Sequence, residues 1–177
     1  MTPVELTHHL QRLRRSDHWY KHRAAAAVDL NWYEVIPSRS ENSVYLVRFW
    51  LNKPAIDGSG KLDSSNATLL HWFVSHDDDG ALHDHPWDFS TTVLAGGYIE
   101  TTPARKPGRL GPGTFKATTV TAGATLQHEA ADLHAIAGLL GETWTLVTTG
   151  PRIREWGFHP PGQAWADWRT FLAPKRG

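Results

Sequence analysis

Residues 82–97 read Leu82-His83-Asp84-His85-Pro86-Trp87-Asp88-Phe89-Ser90-Thr91-Thr92-Val93-Leu94-Ala95-Gly96-Gly97. The second half is β-branched, aromatic and short, the texture of a strand rather than a buried helix. Successive side chains of a strand alternate sides, so His83 and His85 point the same way and their rings converge. Two converging imidazoles form a two-point grip on a metal. The pattern alone says little: eleven histidines in 177 residues give roughly 0.7 such pairs by chance. Its surroundings have to decide.

Outward from this stretch the chain keeps the same texture. Strands are expected at 43–51, 67–75, 82–86, 90–100, 115–121, 124–129, 133–138 and 143–149. Turn signals separate many of them: Pro107-Gly108, Gly111-Pro112-Gly113, Gly123 and Gly141. Gly96-Gly97 falls inside the expected 90–100 strand and marks a bulge there. Many short strands without a crossover helix between them indicate an all-β sandwich or barrel and argue against a parallel α/β sheet. Before Ser43 the pattern is helical. Thr2 suits an N-cap, Pro3 a first turn, and Leu6, Leu10 and Leu13 share one helical face. Residues 17–27 continue this helix or form a second. His8, His9, His18 and His22 lie among Arg and Gln and read as surface. The expected organisation is one domain: a helical extension over 1–42 and a barrel with a C-terminal tail over 43–177.

Composition narrows the chemistry. Eighteen basic residues balance eighteen acidic ones, which argues against a general nucleic-acid binder. There are no cysteines, so disulfides, thiolate metal sites and cysteine nucleophiles are excluded, and a metal would be held by imidazole and carboxylate. No signal peptide or membrane span is evident, so a cytoplasmic protein is expected. Walker, dinucleotide-binding and Gly-x-Ser-x-Gly patterns are missing in the required context.

A third histidine, His134, lies in another expected strand some fifty residues beyond the pair. A histidine pair plus one distant histidine in an all-β chain resembles the cupin superfamily. In the first cupin motif, His-x-His is followed after three or four residues by Glu and after six more by Gly. Here His85 is followed by three residues, Phe89, six residues and Gly96. In the second motif, Gly123 and His134 fall in register, while Glu129, Ala131 and Gly138 replace the Pro, Gly and Asn. Gly80 lies too near His83 to match the usual leading Gly. The likeness covers about residues 67–150 and implies a double-stranded β-helix, a jelly-roll barrel, with the metal ligands His83, His85 and His134.

Phe89 is the informative departure, because most metal-binding cupins place a Glu ligand there. Asp88 is then either a displaced fourth ligand or an acceptor for an imidazole N–H, with Pro86 able to kink the strand. His128 and Glu129 border His134 and are candidates for the same supporting roles. A three-histidine cupin site resembles that of thiol dioxygenases and certain diketone-cleaving oxygenases. The resemblance implies a non-haem Fe(II) oxygenase acting on a small molecule, although imidazole ligands also suit Zn, Ni, Mn or Cu. The alternatives are a cupin isomerase or epimerase using His and Tyr in acid–base chemistry, and a non-enzymatic metal or small-molecule binding module. It also implies homodimerisation through an edge strand or the N-terminal segment, with no nucleic-acid or membrane partner expected.

Several further residues are pocket candidates. His71 shares alternation with Leu69 and Phe73 and so faces the barrel interior. Tyr98 and Glu100 follow Gly97 as acid–base candidates. Arg154 offers a bidentate fork to an anionic substrate. Trp72, Trp87 and Trp156 are candidates for the pocket mouth. Asp77-Asp78-Asp79-Gly80 reads as a solvated turn, lacking the alternation and closing Glu of a calcium loop.

Overall fold

The computed structural model describes residues 3–39, 43–104 and 115–173. The Thr2 cap and the turns at Pro107-Gly108 and Gly111-Pro112-Gly113 lie outside these residues. The described elements are α1 (Pro3–Arg12), a 3-10 turn (Leu13–Arg15), α2 (Trp19–Asp29), β1 (Tyr33–Pro37), β2 (Val44–Trp50), β3 (Thr68–Phe73), β4 (Leu82–His83), β5 (Phe89–Ala95), β6 (Gly97–Pro103), β7 (Phe115–Thr121), β8 (Thr125–His128), β9 (Ala135–Leu139), β10 (Thr143–Thr149), β11 (Gly157–His159), β12 (Ala166–Asp167) and α3 (Trp168–Leu172).

The strands pair antiparallel throughout. One sheet runs β1-β2-β3-β10-β5-β8. The others run β12-β11-β4 and β7-β6-β9, and an antiparallel bridge between His83 and His134 joins them edge to edge. The inner strands therefore order as β3-β10-β5-β8 in one layer and β4-β9-β6-β7 in the other. That is the jelly roll of two Greek keys, the all-β barrel expected from the sequence.

Alternation divides the first sheet between two cores. On β3 and β10, Leu70, Trp72 and Trp144 face outward and are buried beneath the helices with Leu6, Leu13, Tyr20, Ala24 and Phe49. Leu6, Leu10 and Leu13 thus form the expected helical face, since the amphipathic helix buries its apolar stripe on the sheet. His9 departs from the surface reading: it stacks on Trp72 at 4.1 Å between ring centres. Trp72 accordingly lies on the opposite face of β3 from the barrel interior, not at a pocket mouth. The interior face contributes Leu69, Phe73, Val93 and Val147 to the cores between the sheets.

Three expected boundaries change. The segment Tyr33–Pro37 is a strand, β1, paired with β2, inside the 1–42 stretch expected as a helical extension. The expected 90–100 strand is two strands, β5 and β6, because the chain crosses from one sheet to the other at Gly96. Gly96 has φ +64°, and a Cβ there would stand 2.5 Å from the Glu142 carbonyl oxygen, so only glycine makes this crossing without strain. His134 falls just before β9, which starts at Ala135, and joins the ladder through its bridge to His83.

Asp77, Asp78 and Asp79 form no solvated turn. Asp77 Oδ2 accepts the Ile136 amide at 2.5 Å, Asp78 accepts the Ser38 hydroxyl at 2.5 Å, and Asp79 faces Arg39 at 3.7 Å. Burial and the neighbouring Asp77 and Asp78 charges push the Asp79 carboxyl up to about 6. A raised acid favours the folded state when protonated, and that advantage is lost as pH rises through about 6. Asp79→Asn should therefore stabilise the protein at pH 7.5 by about 1 kcal/mol, after allowance for solvent screening. The gain should vanish toward pH 4. Urea melts at both pH values check this, and an equal or inverted effect at pH 7.5 would contradict it.

Candidate metal centre

The bridge between β4 and the start of β9 builds the site. His83 and His134 sit directly opposite each other and exchange both backbone hydrogen bonds, at 2.9 and 3.0 Å. Residues so paired present their side chains on the same face. His85 lies two residues beyond His83 and returns to that face, held by its amide hydrogen bond to the Ala130 carbonyl at 3.0 Å. The three rings converge: His85 Nε2 and His134 Nε2 are 2.9 Å apart, and one nitrogen from each histidine falls within 4.8 Å of the others.

Burial sets the protonation of the pair. Desolvation pushes His83 down to about 4, only partly offset by the Asp77 carboxylate. Desolvation, reinforced by the neighbouring imidazoles and Arg48, holds His85 well below its ordinary value. Neutral imidazole is the form that ligates a metal.

A carboxylate stands behind the third ring, though not at the position the motif assigns. Glu100, on β6, pairs in register with Ile136 on β9 and shares the interior face with His134. Its Oε1 accepts the His134 Nδ1 proton at 2.7 Å. Burial disfavours the Glu100 charge, but the hydrogen bond from His134 and the surrounding imidazoles outweigh it and keep the carboxylate below its usual range. A carboxylate that fixes the far nitrogen of an imidazole selects the tautomer whose Nε2 lone pair faces a metal. Asp77 Oδ2 lies 3.9 Å from His83 Nδ1 in a similar relation. That buried Nδ1 has no hydrogen-bond partner among the described residues.

Phe89 occupies the space a Glu ligand would need. It pairs with His128 across β5 and β8, stacks on the His128 ring at 4.5 Å, and meets His85 edge-on at 4.6 Å. Trp87 also packs on His85, stacked at 4.9 Å. The His85 ring is thus enclosed by aromatic surface, which excludes water from a ligand.

The remaining expected residues separate. Asp88 is exposed, and its Oδ1 accepts the Ala130 amide at 2.7 Å, so it stands as neither a fourth ligand nor an imidazole acceptor. Glu129 is exposed as well. His128 is half-buried, with Nε2 3.7 Å from Glu100 Oε1. His71 does face the interior and accepts a hydrogen bond from Arg48 Nε at 3.2 Å. Burial and that guanidinium hold His71 well below its ordinary value. Arg48 was not singled out in the sequence, where nothing marks its register partner on β3. Tyr98 lies in an apolar cluster, and burial raises its hydroxyl, which keeps it protonated and unsuited to act as a base. Arg154 spends its fork on the protein: Nη1 donates to Asp84 Oδ2 at 2.6 Å and to the Ala130 carbonyl at 3.0 Å. Trp156 stacks on Trp168 at 5.7 Å and meets Phe158 at 5.7 Å, so it packs with the C-terminal segment. A surface cleft of about 250 Å³, lined by Trp50, Lys53, Asp63 and Asn66 among others, contains none of the clustered histidines.

Jelly roll and clustered imidazoles define an all-β barrel with a candidate metal centre at the meeting edge of its second layer. No protein-family model matches the sequence. Searches of curated proteins find no match either. Among solved structures, the chain is similar to Fe(II) HppE, with a TM-score of 0.45 and 15% identity over 67% of this chain. The match spans 57% of that protein, somewhat over half its length. Hydroxypropylphosphonic acid epoxidase from S. wedmorenis gives 0.44 and 16%, over 68% of this chain and 56% of that one. Streptomyces PAC13 (Y89F) with uridine gives 0.46 and 9%, over 73% and 86%. The functional reading rests on this chain's own side chains.

Proposed function

We propose that this chain is a metal-binding cupin in which His83, His85 and His134 hold Fe(II), and that it acts as a non-haem oxygenase on a small molecule. The observation that carries the reading is the convergence of three imidazoles, two of them kept neutral by burial, around one point. The donor set fits a divalent cation: His85 and His134 aim their Nε2 atoms at each other across 2.9 Å, and His83 brings a ring nitrogen within 4.8 Å of both. Bound Fe(II) would supply the redox chemistry of dioxygen activation, and three neutral donors would leave its full positive charge to attract an anionic, chelating substrate.

The protein's own contributions are positional. Glu100 holds the His134 tautomer and ring plane. The β-bridge fixes the spacing of His83 and His134, so these two ligands stand on paired backbone. Trp87 and Phe89 keep water from the His85 side. A thiol or diketone substrate, as in the oxygenases the site resembles, is the first class to try.

Anaerobic purification followed by elemental analysis tests the reading. Iron retained by the protein, together with dioxygen uptake on adding small thiols or diketones, is expected. Zinc or nickel without dioxygen uptake would overturn the oxygenase. Absence of any retained metal would overturn the metal centre itself.

A further inference from the structure

We propose that Glu100, His128 and His134 form a second divalent-cation position, on the opposite side of the His134 ring from the three-histidine set. The two positions use different nitrogens of one imidazole. Toward His85 the ring presents Nε2, at 2.9 Å; toward Glu100 it presents Nδ1, at 2.7 Å. One ligand atom each from Glu100, His128 and His134 lies within 4.8 Å of the others, the same closeness as in the first set.

The independent sign of a ligand is the state of His128. Its side chain is only 9% exposed, yet its Nε2 is buried and lacks a hydrogen-bond partner among the described residues. Glu100 Oε1 stands 3.7 Å from it, beyond hydrogen-bond reach. A buried polar nitrogen left without a partner is costly, so such groups are rare unless something binds them. The stacking of His128 on Phe89, nearly parallel at 13°, fixes the ring plane and with it the direction of Nε2. A cation between His128 and Glu100 would satisfy both groups at once.

Each ligand stands on regular backbone: Glu100 on β6, His128 at the end of β8, His134 in the bridge before β9. Two imidazoles and one carboxylate suit Fe(II), Zn(II) or Mn(II). Binding replaces the Nδ1 proton of His134, which leaves to solvent. The ring then carries a metal on each nitrogen as an imidazolate, in place of the neutral donor it is when only the first position is filled, and its negative charge, with that of Glu100, offsets the added positive charge. The inference rests on the proposed function only through His134, which both positions share.

Zinc titration of the metal-stripped full chain, with bound zinc counted after equilibrium dialysis, tests this. Two zinc ions per chain are expected at saturation. His128→Gln and Glu100→Gln should each lower the count to one, and the His83→Ala/His85→Ala double variant should also hold one. Circular dichroism and thermal melts establish that each variant is folded, and Glu100→Gln carries the test if His128→Gln is not. A wild-type count of one that His128→Gln leaves unchanged would overturn the second position. A single ion that survives the double variant but is lost in His128→Gln supports the second position and overturns the three-histidine reading instead. No zinc in the wild type overturns both.

Discussion

His134→Ala should weaken divalent-metal binding by about a hundredfold or more while leaving the barrel folded. Whole four-ligand sites bind with about 10–16 kcal/mol, so one imidazole is worth roughly 3 kcal/mol, or about two decades in Kd. No other side chain should have a wider effect on metal binding, because His134 faces both His85 and Glu100. The fold should survive because the bridge to His83 is made by backbone atoms that alanine retains. The variant leaves Glu100 buried without its strongest donor, so about 1–3 kcal/mol of stability should be lost as well. Equilibrium dialysis against zinc or anaerobic Fe(II), with circular dichroism alongside, measures both effects. Unchanged metal content in a folded variant would refute the site.

The contrast between His134 and Glu100 shows what a sequence makes legible. The convergence of His83, His85 and His134 is legible because alternation along a strand and fixed spacing are properties of one dimension. The Phe89 departure was visible for the same reason, and the structure supplies its consequence: an aromatic wedge between His85 and His128. Glu100 could be named only as a pocket residue after Gly97. Its relation to His134 depends on β6 lying beside β9, with a bulge between Ile99 and Glu100 that sets which residue faces inward. Arg48 and His71 meet only through the β2–β3 register. Asp77, Asp78 and Asp79 read as a turn because consecutive aspartates are usually solvated. They are held instead by groups 39 to 59 residues away, including the Ile136 amide and Ser38. The strands β11 and β12 are three and two residues long, too short to leave a periodic signal. The eight inner strands, by contrast, were nearly all placed, because hydrophobic alternation and glycine punctuation are local.

Asp84→Ala should be the most damaging substitution to stability near the site, costing about 3–5 kcal/mol. Asp84 sits between the two histidines of the pair and points away from them, because a strand alternates. Its side chain is nonetheless only 3% exposed, since residues 154–165 cover that face. Oδ2 accepts from Arg154 Nη1 at 2.6 Å and from Trp165 Nε1 at 3.0 Å, while Oδ1 accepts the Gly157 amide at 2.7 Å. Truncation would strand a guanidinium, an indole N–H and an amide together, and each lost acceptor costs more than the bond itself was worth. For a chain of this size the loss corresponds to a fall in Tm of roughly 10 °C. Asp84→Asn should fall between, because the amide keeps one acceptor but turns a donor toward Arg154 or Trp165. The damage should also reach the metal. β11 pairs with β4 directly behind His83, so loosening the clamp frees β4 and the residues just after it, which together carry two of the three imidazoles. Urea melts, limited proteolysis of the C-terminal segment and zinc affinity should therefore change together in Asp84→Ala. If stability fell while zinc affinity held, Asp84 would merely anchor the tail. A loss of both makes the residue between the two histidines the link between the closing strands of the barrel and the proposed metal centre.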